Sequence, residues 1–234
     1  MLTEAPRRAL RLGVVIPALN EASTLPRLLA QLAEDGAERV FVVDGGSSDG
    51  TAGLAREHGA EVLSSPRGRG TQLAAGARAA LADGCDVLFF LHADCVPAAG
   101  AIGRLRGAFA DPDLTASAMS QEIEGEGLFY RLVERAADAR SRRGLVFGDS
   151  GLAVRASAYE AVGGFRPLPL FEDIDLTRRL REHGAVRLLS QATLRVSARR
   201  WQREGALRCT LRNWMLRTLY RAGVAPERCA RLYP

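Results

Sequence analysis

The chain has 234 residues, 47% hydrophobic and 25% charged, with a net charge of +5. That length suits one domain with a small appendage and a substantial core, and no apolar run reaches the roughly 18 residues that span a bilayer. All 32 basic residues are arginine, which excludes any mechanism that needs a catalytic or phosphate-gripping lysine.

Met1 to Arg11 carries arginines but no apolar stretch, so it does not read as a secretory leader. A strand at Val14-Val15-Ile16 empties into Pro17-Ala18-Leu19-Asn20-Glu21. Leu25, Leu28, Leu29 and Leu32 then fall at helical spacing, with Ser23 or Thr24 as N-cap and Pro26 in the first turn. Val40–Val43 is the next strand and opens into Asp44-Gly45-Gly46-Ser47-Ser48-Asp49-Gly50-Thr51, where Ser48 or Asp49 can cap a helix. Glu61–Leu63 reads as a short strand, and a helix carrying Leu73, Ala77 and Leu81 comes after Gly68-Arg69-Gly70-Thr71-Gln72. A third apolar strand, Val87–Leu91, ends in His92-Ala93-Asp94. The regular alternation predicts a mostly parallel sheet with helices on both faces.

The rhythm then changes. A helix around Ile102, Leu105 and Phe109 precedes a strand at Leu114–Glu124, and Leu128–Arg143 reads as an amphipathic helix. Gly148-Asp149-Ser150-Gly151 is a turn before a strand at Leu152–Arg155. Asp173–Glu182 is helical and Val186–Leu189 is a late strand, so the second half elaborates the same sheet. His58 and His183 each precede a glycine at a helix end and read as C-terminal caps. Cys85, Cys95, Cys209 and Cys229 have no metal-type spacing and read as free thiols of a reducing cytoplasm.

Ligands of open α/β sheets sit beyond the carboxyl ends of the strands, so the polar residues there are binding candidates. Magnesium and manganese are held by one or two carboxylates plus phosphate oxygens, which Asp94 alone could begin. His92 could add an imidazole, a ligand better suited to manganese, or could be a hydrogen-bonded strand-end histidine. Arg69, at a helix start, can grip a diphosphate or belong to a solvated loop. Glu172-Asp173 begins a helix, where acids match the dipole; below a pocket, one would be placed as a general base.

As an ordered set, Pro17–Glu21, Val42–Thr51, His92-Ala93-Asp94 and Glu172-Asp173 resemble the family 2 glycosyltransferases of the GT-A fold, over residues 12 to about 200. The short length, the GxxxQ stretch after Pro66, Gly148–Gly151 and Ser197-Ala198-Arg199-Arg200-Trp201 resemble a bacterial subgroup labelled radical-SAM/selenodomain-associated. The resemblance implies a GT-A catalytic domain over 1–205. Pro17, Ala18, Asn20, Glu21, Asp44, Gly46, Arg69, Gln72 and Asp94 would contact the nucleotide sugar, whose nucleoside is uridine or, given Gly45, a guanine or thymine nucleoside. Asp94, with His92, would hold a divalent metal, Mn2+ or Mg2+. Asp173 would deprotonate an acceptor hydroxyl for an inverting displacement, with Glu172 beside it. Asp149, Ser150, Arg200 and Trp201 would line the acceptor or diphosphate side. His92 replaces the first Asp of the family's DxD, and Gly45 replaces a common second Asp after Asp44. Arg200-Trp201 resembles the RW of processive members without the rest of that motif, which argues against polymer synthesis.

Residues 199–234 hold nine arginines against Glu204 and Glu227, so the basic character belongs to the tail. Residues 206–234 read as a basic amphipathic segment in which Leu207, Leu211, Trp214, Met215, Thr218 and Leu219 share a helical face. It either packs on the domain or lies at an anionic lipid surface, as a peripheral contact that fits a lipid-linked acceptor. No nucleic-acid motif accompanies the arginines. Two alternatives stay open: a nucleotidyltransferase, whose usual lysine-bearing loop is absent, and a catalytically idle nucleotide-sugar-binding module. A dehydrogenase is disfavoured, because the dinucleotide fingerprint is missing.

Overall fold

The computed structural model describes residues 9–233; residues 1–8, which hold most of the N-terminal stretch considered above, and Pro234 lie outside it. Strands β1 (Leu12–Ala18), β2 (Arg39–Asp44), β3 (Glu61–Ser64) and β4 (Val87–Phe90) alternate with helices α1 (Leu25–Glu34), α2 (Thr51–Glu57) and α3 (Arg69–Ala82). The central runs are apolar on both sides, which a parallel sheet covered on both faces buries. They pair in parallel in the order β3-β2-β1-β4. Val14, Ile16, Val42 and Phe89 enter one buried cluster, and Val15, Phe41, Val43 and Phe90 enter another. This is the alternation expected of strands with two covered faces. Helix α3 rests directly on the sheet, since a Cβ on Gly76 would overlap Val15 Cγ1.

The second half joins the same sheet. It comprises β5 (Cys95–Pro97), α4 (Ala101–Phe109), β6 (Leu114–Glu124), α5 (Leu128–Arg142), β7 (Leu152–Arg155), α6 (Ala156–Ala161), α7 (Glu172–His183) and β8 (Ala185–Ser197). The full order is β3-β2-β1-β4-β7-β6-β8-β5. Strand β7 runs antiparallel to β4 and β6, and β5 antiparallel to β8, so the eight-stranded sheet is mixed.

Several local expectations need correction. The late strand runs on to Ser197 rather than stopping at Leu189. Ser190-Gln191 interrupts the apolar run, but the chain crosses it with a register shift against β6 and resumes with Ala192, Leu194 and Val196 buried in alternation. Elements β5 and α6 carry no periodic signal; three and six residues are too few to display one. Thr24 does not cap α1, because its hydroxyl turns back onto the Glu21 carboxylate at 2.7 Å. Asp49 does accept the Thr51 amide (3.1 Å) at the start of α2, and His58 Nδ1 bonds the Leu54 carbonyl oxygen (2.9 Å). The four cysteines are free and buried.

The tail forms α8 (Arg199–Glu204), α9 (Ala206–Arg221) and α10 (Pro226–Ala230). Helix α9 packs on the domain through Leu216 and Tyr220, which join Leu170, Phe171 and Cys229. Leu207, Leu211, Trp214 and Met215 face solvent instead, with Trp214 62% exposed. Most of the apolar face read from the sequence is therefore not the packing face; of its members, Leu219 turns inward. No helix among the described residues is long and apolar enough to cross a membrane.

Candidate active site

The first two motifs interlock. Asn20, at φ 56°, adopts the left-handed conformation that asparagine tolerates. Its Oδ1 accepts the Ser48 amide (2.9 Å), while its own amide donates to Ser47 Oγ (2.9 Å). The next two amides, of Glu21 and Ala22, donate to Thr51 Oγ1 (2.9 Å) and Asp49 Oδ2 (3.0 Å). The Asp44 carboxylate accepts the Gly46 and Ser47 amides of its own loop, both at 3.1 Å to Oδ2. Gln72 is buried, and its side-chain amide donates to the Ala18 (2.9 Å) and Val43 (2.8 Å) carbonyl oxygens, tying the two strand ends to α3. A Cβ on Gly45 would meet that amide nitrogen at 3.0 Å, so Gln72 occupies the room a side chain at position 45 needs. Pro17, Ala18, Asn20, Glu21, Asp44, Gly46 and Gln72 thus frame a rigid double strand end beside the main cavity rather than within it.

That cavity, of about 240 Å³, is bordered by His92 and Asp94 at the end of β4, Asp149 before β7, Asp173 at the head of α7, and residues of α5 and α9. Arg69, Arg200 and Trp201 also line it. Ligand atoms of His92, Asp94 and Cys95 lie within 4.8 Å of one another. Burial, and then the Asp94 charge, push the Cys95 thiol well above its ordinary pKa, so it stays protonated and lies 3.8 Å from Asp94 Oδ1 as a weak donor. Burial, then the Arg69 charge, lower the His92 pKa and keep its imidazole neutral. That imidazole makes no hydrogen bond to another described residue, so the strand-end histidine is not fastened by one. One carboxylate and one free neutral imidazole fit a divalent ion whose remaining ligands are phosphate oxygens. Arg199 Nε lies 3.2 Å from Asp94 Oδ2, and Arg199 Nη2 lies 2.7 Å from Glu21 Oε1, bridging the strand ends.

Glu172 and Asp173 divide their tasks. Glu172, 1% exposed, is ion-paired with Arg69 Nε. Burial opposes the Arg69 charge, but the Glu172 and Asp173 carboxylates outweigh it and hold the guanidinium above its ordinary pKa. Asp173 Oδ2 accepts the Gly148 amide (2.7 Å) and Oδ1 accepts the Ile174 amide (2.7 Å). Burial, then the neighbouring Glu172 charge, raise the Asp173 pKa above the usual carboxylate range. Gly148 separates the two halves of the site, since a Cβ there would lie 2.5 Å from His92 Nε2 and 3.4 Å from Asp173 Oδ2. The third acid of the run, Asp175, is structural and pairs with Arg179 at 2.6 Å.

Of the residues expected on the acceptor or diphosphate side, Ser150 does not line the cavity: it is fully buried behind Asp149, donating to Asp149 Oδ1 (3.3 Å) and accepting from Gln121 Nε2 (3.2 Å). Trp201 meets Tyr130 edge-on and donates to Thr210 Oγ1 (3.3 Å). Arg200 is held by the Tyr233 hydroxyl. The sequence reading missed Arg140, Phe147, Arg199 and Arg217 as site residues. Arg199 belongs to the Ser197–Trp201 stretch that carries part of the resemblance, but nothing local distinguishes Arg140 and Arg217 from the chain's other arginines.

The Glycosyl transferase family 2 model matches residues 13–162, more than half of the chain. An uncharacterized glycosyltransferase of Mycobacterium tuberculosis is 46% identical over 68 residues, which is 29% of this chain and 30% of that protein. Glycosyltransferase AglJ of Haloferax volcanii is 40% identical over 50 residues, covering 21% of this chain and 16% of that one. The aligned stretch is thus under a third of these curated relatives' length. Among solved structures, S. aureus TarS superposes with a TM-score of 0.66 at 17% identity, covering 80% of this chain and 37% of its own. Glucosyl-3-phosphoglycerate synthase from Mycobacterium tuberculosis, in complex with Mn2+, UDP and glucosyl-3-phosphoglycerate, gives 0.57 at 21% identity, covering 80% and 70%. These likenesses establish a GT-A type fold. With the ordered strand-end motifs and the match over residues 13–162, the chain belongs to glycosyl transferase family 2.

Proposed function

We propose that the chain moves a hexosyl group from a nucleoside-diphosphate sugar, UDP-linked, to an acceptor hydroxyl in one inverting, non-processive, metal-assisted displacement. The observation that carries this reading is that Asp173, Asp94 and His92 border one cavity. An idle binding module would have no need to keep a poised base beside a metal-type donor pair.

Asp173 is the base. Its raised pKa gives it proton affinity, and the Gly148 and Ile174 amides fix its carboxylate. As its oxygen takes the acceptor proton, the acceptor oxygen bonds to the anomeric carbon and the bond from that carbon to the diphosphate breaks. Glu172 neutralises Arg69 and thereby holds it at the wall of the cavity that Asp94 and His92 also border, where a guanidinium can meet the donor's diphosphate. When bound at Asp94 and His92, Mn2+ or Mg2+ supplies the Lewis-acid charge that the leaving diphosphate requires. The double strand end carrying Asn20, Asp44 and Gly46 receives the nucleoside. The mycobacterial synthase, a neighbour in fold, is described with UDP and Mn2+, so these are the first ligands to try.

The outward face of α9 supports a peripheral contact at the cytoplasmic membrane surface and a lipid-linked acceptor. Leu207, Leu211 and Trp214 are exposed, as are Leu128 and Leu132 on α5, and both helices border the cavity. Apolar side chains beside arginines are the composition of an interfacial helix.

Calorimetric titration of UDP, GDP and dTDP, each with manganese and with EDTA, tests the donor assignment. Manganese-dependent binding of UDP alone is the expected result. Failure of all three to bind would overturn it.

A further inference from the structure

Arg140 of α5 and Arg217 of α9 share one aromatic ring. The guanidinium carbon of Arg140 lies 3.7 Å from the Phe147 centroid, and that of Arg217 lies 5.3 Å from it. Two like charges drawn together in a partly dry wall oppose each other's ionisation. Accordingly, burial and then the Arg140 charge lower the Arg217 pKa, and burial lowers that of Arg140. Their protein partners are too few to offset this. Arg140 donates through Nε to the Leu145 carbonyl oxygen (3.2 Å) and through Nη2 to Ser150 Oγ (3.3 Å), and its one carboxylate within ion-pair distance, among the described residues, is Asp149 at 3.7 Å. Arg217 donates through Nε to the Asn213 carbonyl oxygen of its own helix (3.0 Å), and no carboxylate among the described residues lies within ion-pair distance of it. Both side chains line the cavity.

The pair stands on the side of the proposed base. The acids whose charges both guanidiniums feel are Asp149 and Asp173, with Asp138 acting on Arg140 as well, whereas Asp94 is matched by Arg199. The cation matched to the proposed metal carboxylate is Arg199 and not a member of this pair. Guanidinium forks grip phosphate and carboxylate groups in bidentate fashion, and an aromatic face holds their planes in place.

We propose that Arg140 and Arg217, stacked on Phe147, form an anion subsite for the acceptor, which carries a phosphate monoester or carboxylate and is seated there with its hydroxyl toward Asp173. This rests on the reading of Asp173 as the acceptor base. A neutral acceptor would leave the two guanidiniums crowded and unanswered.

The test is calorimetric titration of inorganic phosphate into the full chain saturated with UDP and manganese, alongside Arg140→Gln and Arg217→Gln. Phosphate is expected to bind the nucleotide-loaded protein, and each substitution to weaken it by about tenfold, the scale of losing one charge-assisted contact. UDP affinity, measured on the same variants, should persist and so report that they fold. Phosphate binding that disappears once UDP is bound, or that neither substitution alters, overturns the subsite. If UDP itself fails to bind, the donor reading falls separately. Titration of the nucleotide-free protein then decides, with dependence on Arg217 supporting the subsite and independence overturning it. Co-sedimentation with vesicles of phosphatidic acid against phosphatidylcholine separates the sources of the anion. Arg217-dependent capture by phosphatidic acid assigns a lipid phosphate, and phosphate binding without capture assigns a soluble acceptor.

Discussion

The ring of Phe171 lies against that of Tyr220, with centroids 4.6 Å apart and planes 25° from parallel. Phe171 immediately precedes Glu172 and holds φ 68° and ψ 20°, a left-handed conformation that bulky residues avoid. Such a conformation costs on the order of 1–3 kcal/mol and persists only where surrounding contacts over-determine it. Helix α9 supplies one of those contacts through Tyr220, so the tail helps aim the acidic pair. Tyr220→Ala should lower unfolding free energy by about 1–2 kcal/mol, from lost aromatic pairing and burial. It should also raise the acceptor KM. A urea midpoint unchanged from wild type would show that the stack does not restrain Phe171.

Asp173→Asn removes the proton acceptor but leaves the cavity its shape. Transfer should fall by about 10²–10⁴-fold, the range attributed to a positioned general base, while manganese-dependent UDP affinity holds. Equal losses in both would show that Asp173 serves binding.

The raised pKa of Asp173 sets a sign for the pH dependence. Protonated Asp173 cannot accept the acceptor proton, so transfer should rise with pH through a midpoint above the usual aspartate range and then level off. The folded state also holds this proton more tightly than the unfolded one. The residue's contribution to stability therefore falls as pH rises from the unfolded pKa through the folded one. Urea midpoints of wild type against Asp173→Asn across acid pH would reveal that trend, and parallel curves would contradict it.

Gly148→Ala places a methyl carbon where only 2.5 Å separates it from His92 Nε2. His92 must rotate or the turn must shift, at a cost of about 1–3 kcal/mol for overpacking. Manganese-dependent nucleotide affinity should weaken while metal-independent binding stays. Equal affinities with and without the substitution would remove His92 from the ligand set.

Arg199→Ala takes away the cation that pairs with Asp94 and Glu21. The Glu21 hydrogen bond foremost, with Asp94 adding to it, raises the Arg199 pKa, so the side chain competes as a full charge. Manganese titration of the nucleotide-free protein should tighten by several-fold, as expected when a competing charge leaves an exposed site. Weaker manganese binding would mean that Arg199 orients Asp94 and does not compete for it.

Much of this protein was legible in the chain because strand-end motifs are local. Val14–Ile16, Val40–Val43 and Val87–Leu91 announce strands by their apolar runs, and the residues after each run must lie at its carboxyl end. Asn20, Asp44, His92 and Asp94 could therefore be placed at strand ends from local pattern alone. Local pattern could not show which groups those residues engage. Asp44 closes its own loop, Gln72 ties two strand ends, and Glu172 neutralises Arg69 from 103 positions away. The outward turn of Leu207 and Trp214 was equally hidden, because helical periodicity identifies a shared face without saying what covers it. The convergence of Arg140 and Arg217 on Phe147 depends on how α5 and α9 pack across the cavity. The sequence by itself determined the order of the strands along the chain and the chemistry at their ends, since both depend on neighbouring residues. Only the tertiary structure decided which charges meet, because the free energy of a buried charge depends on partners that folding brings from distant parts of the chain.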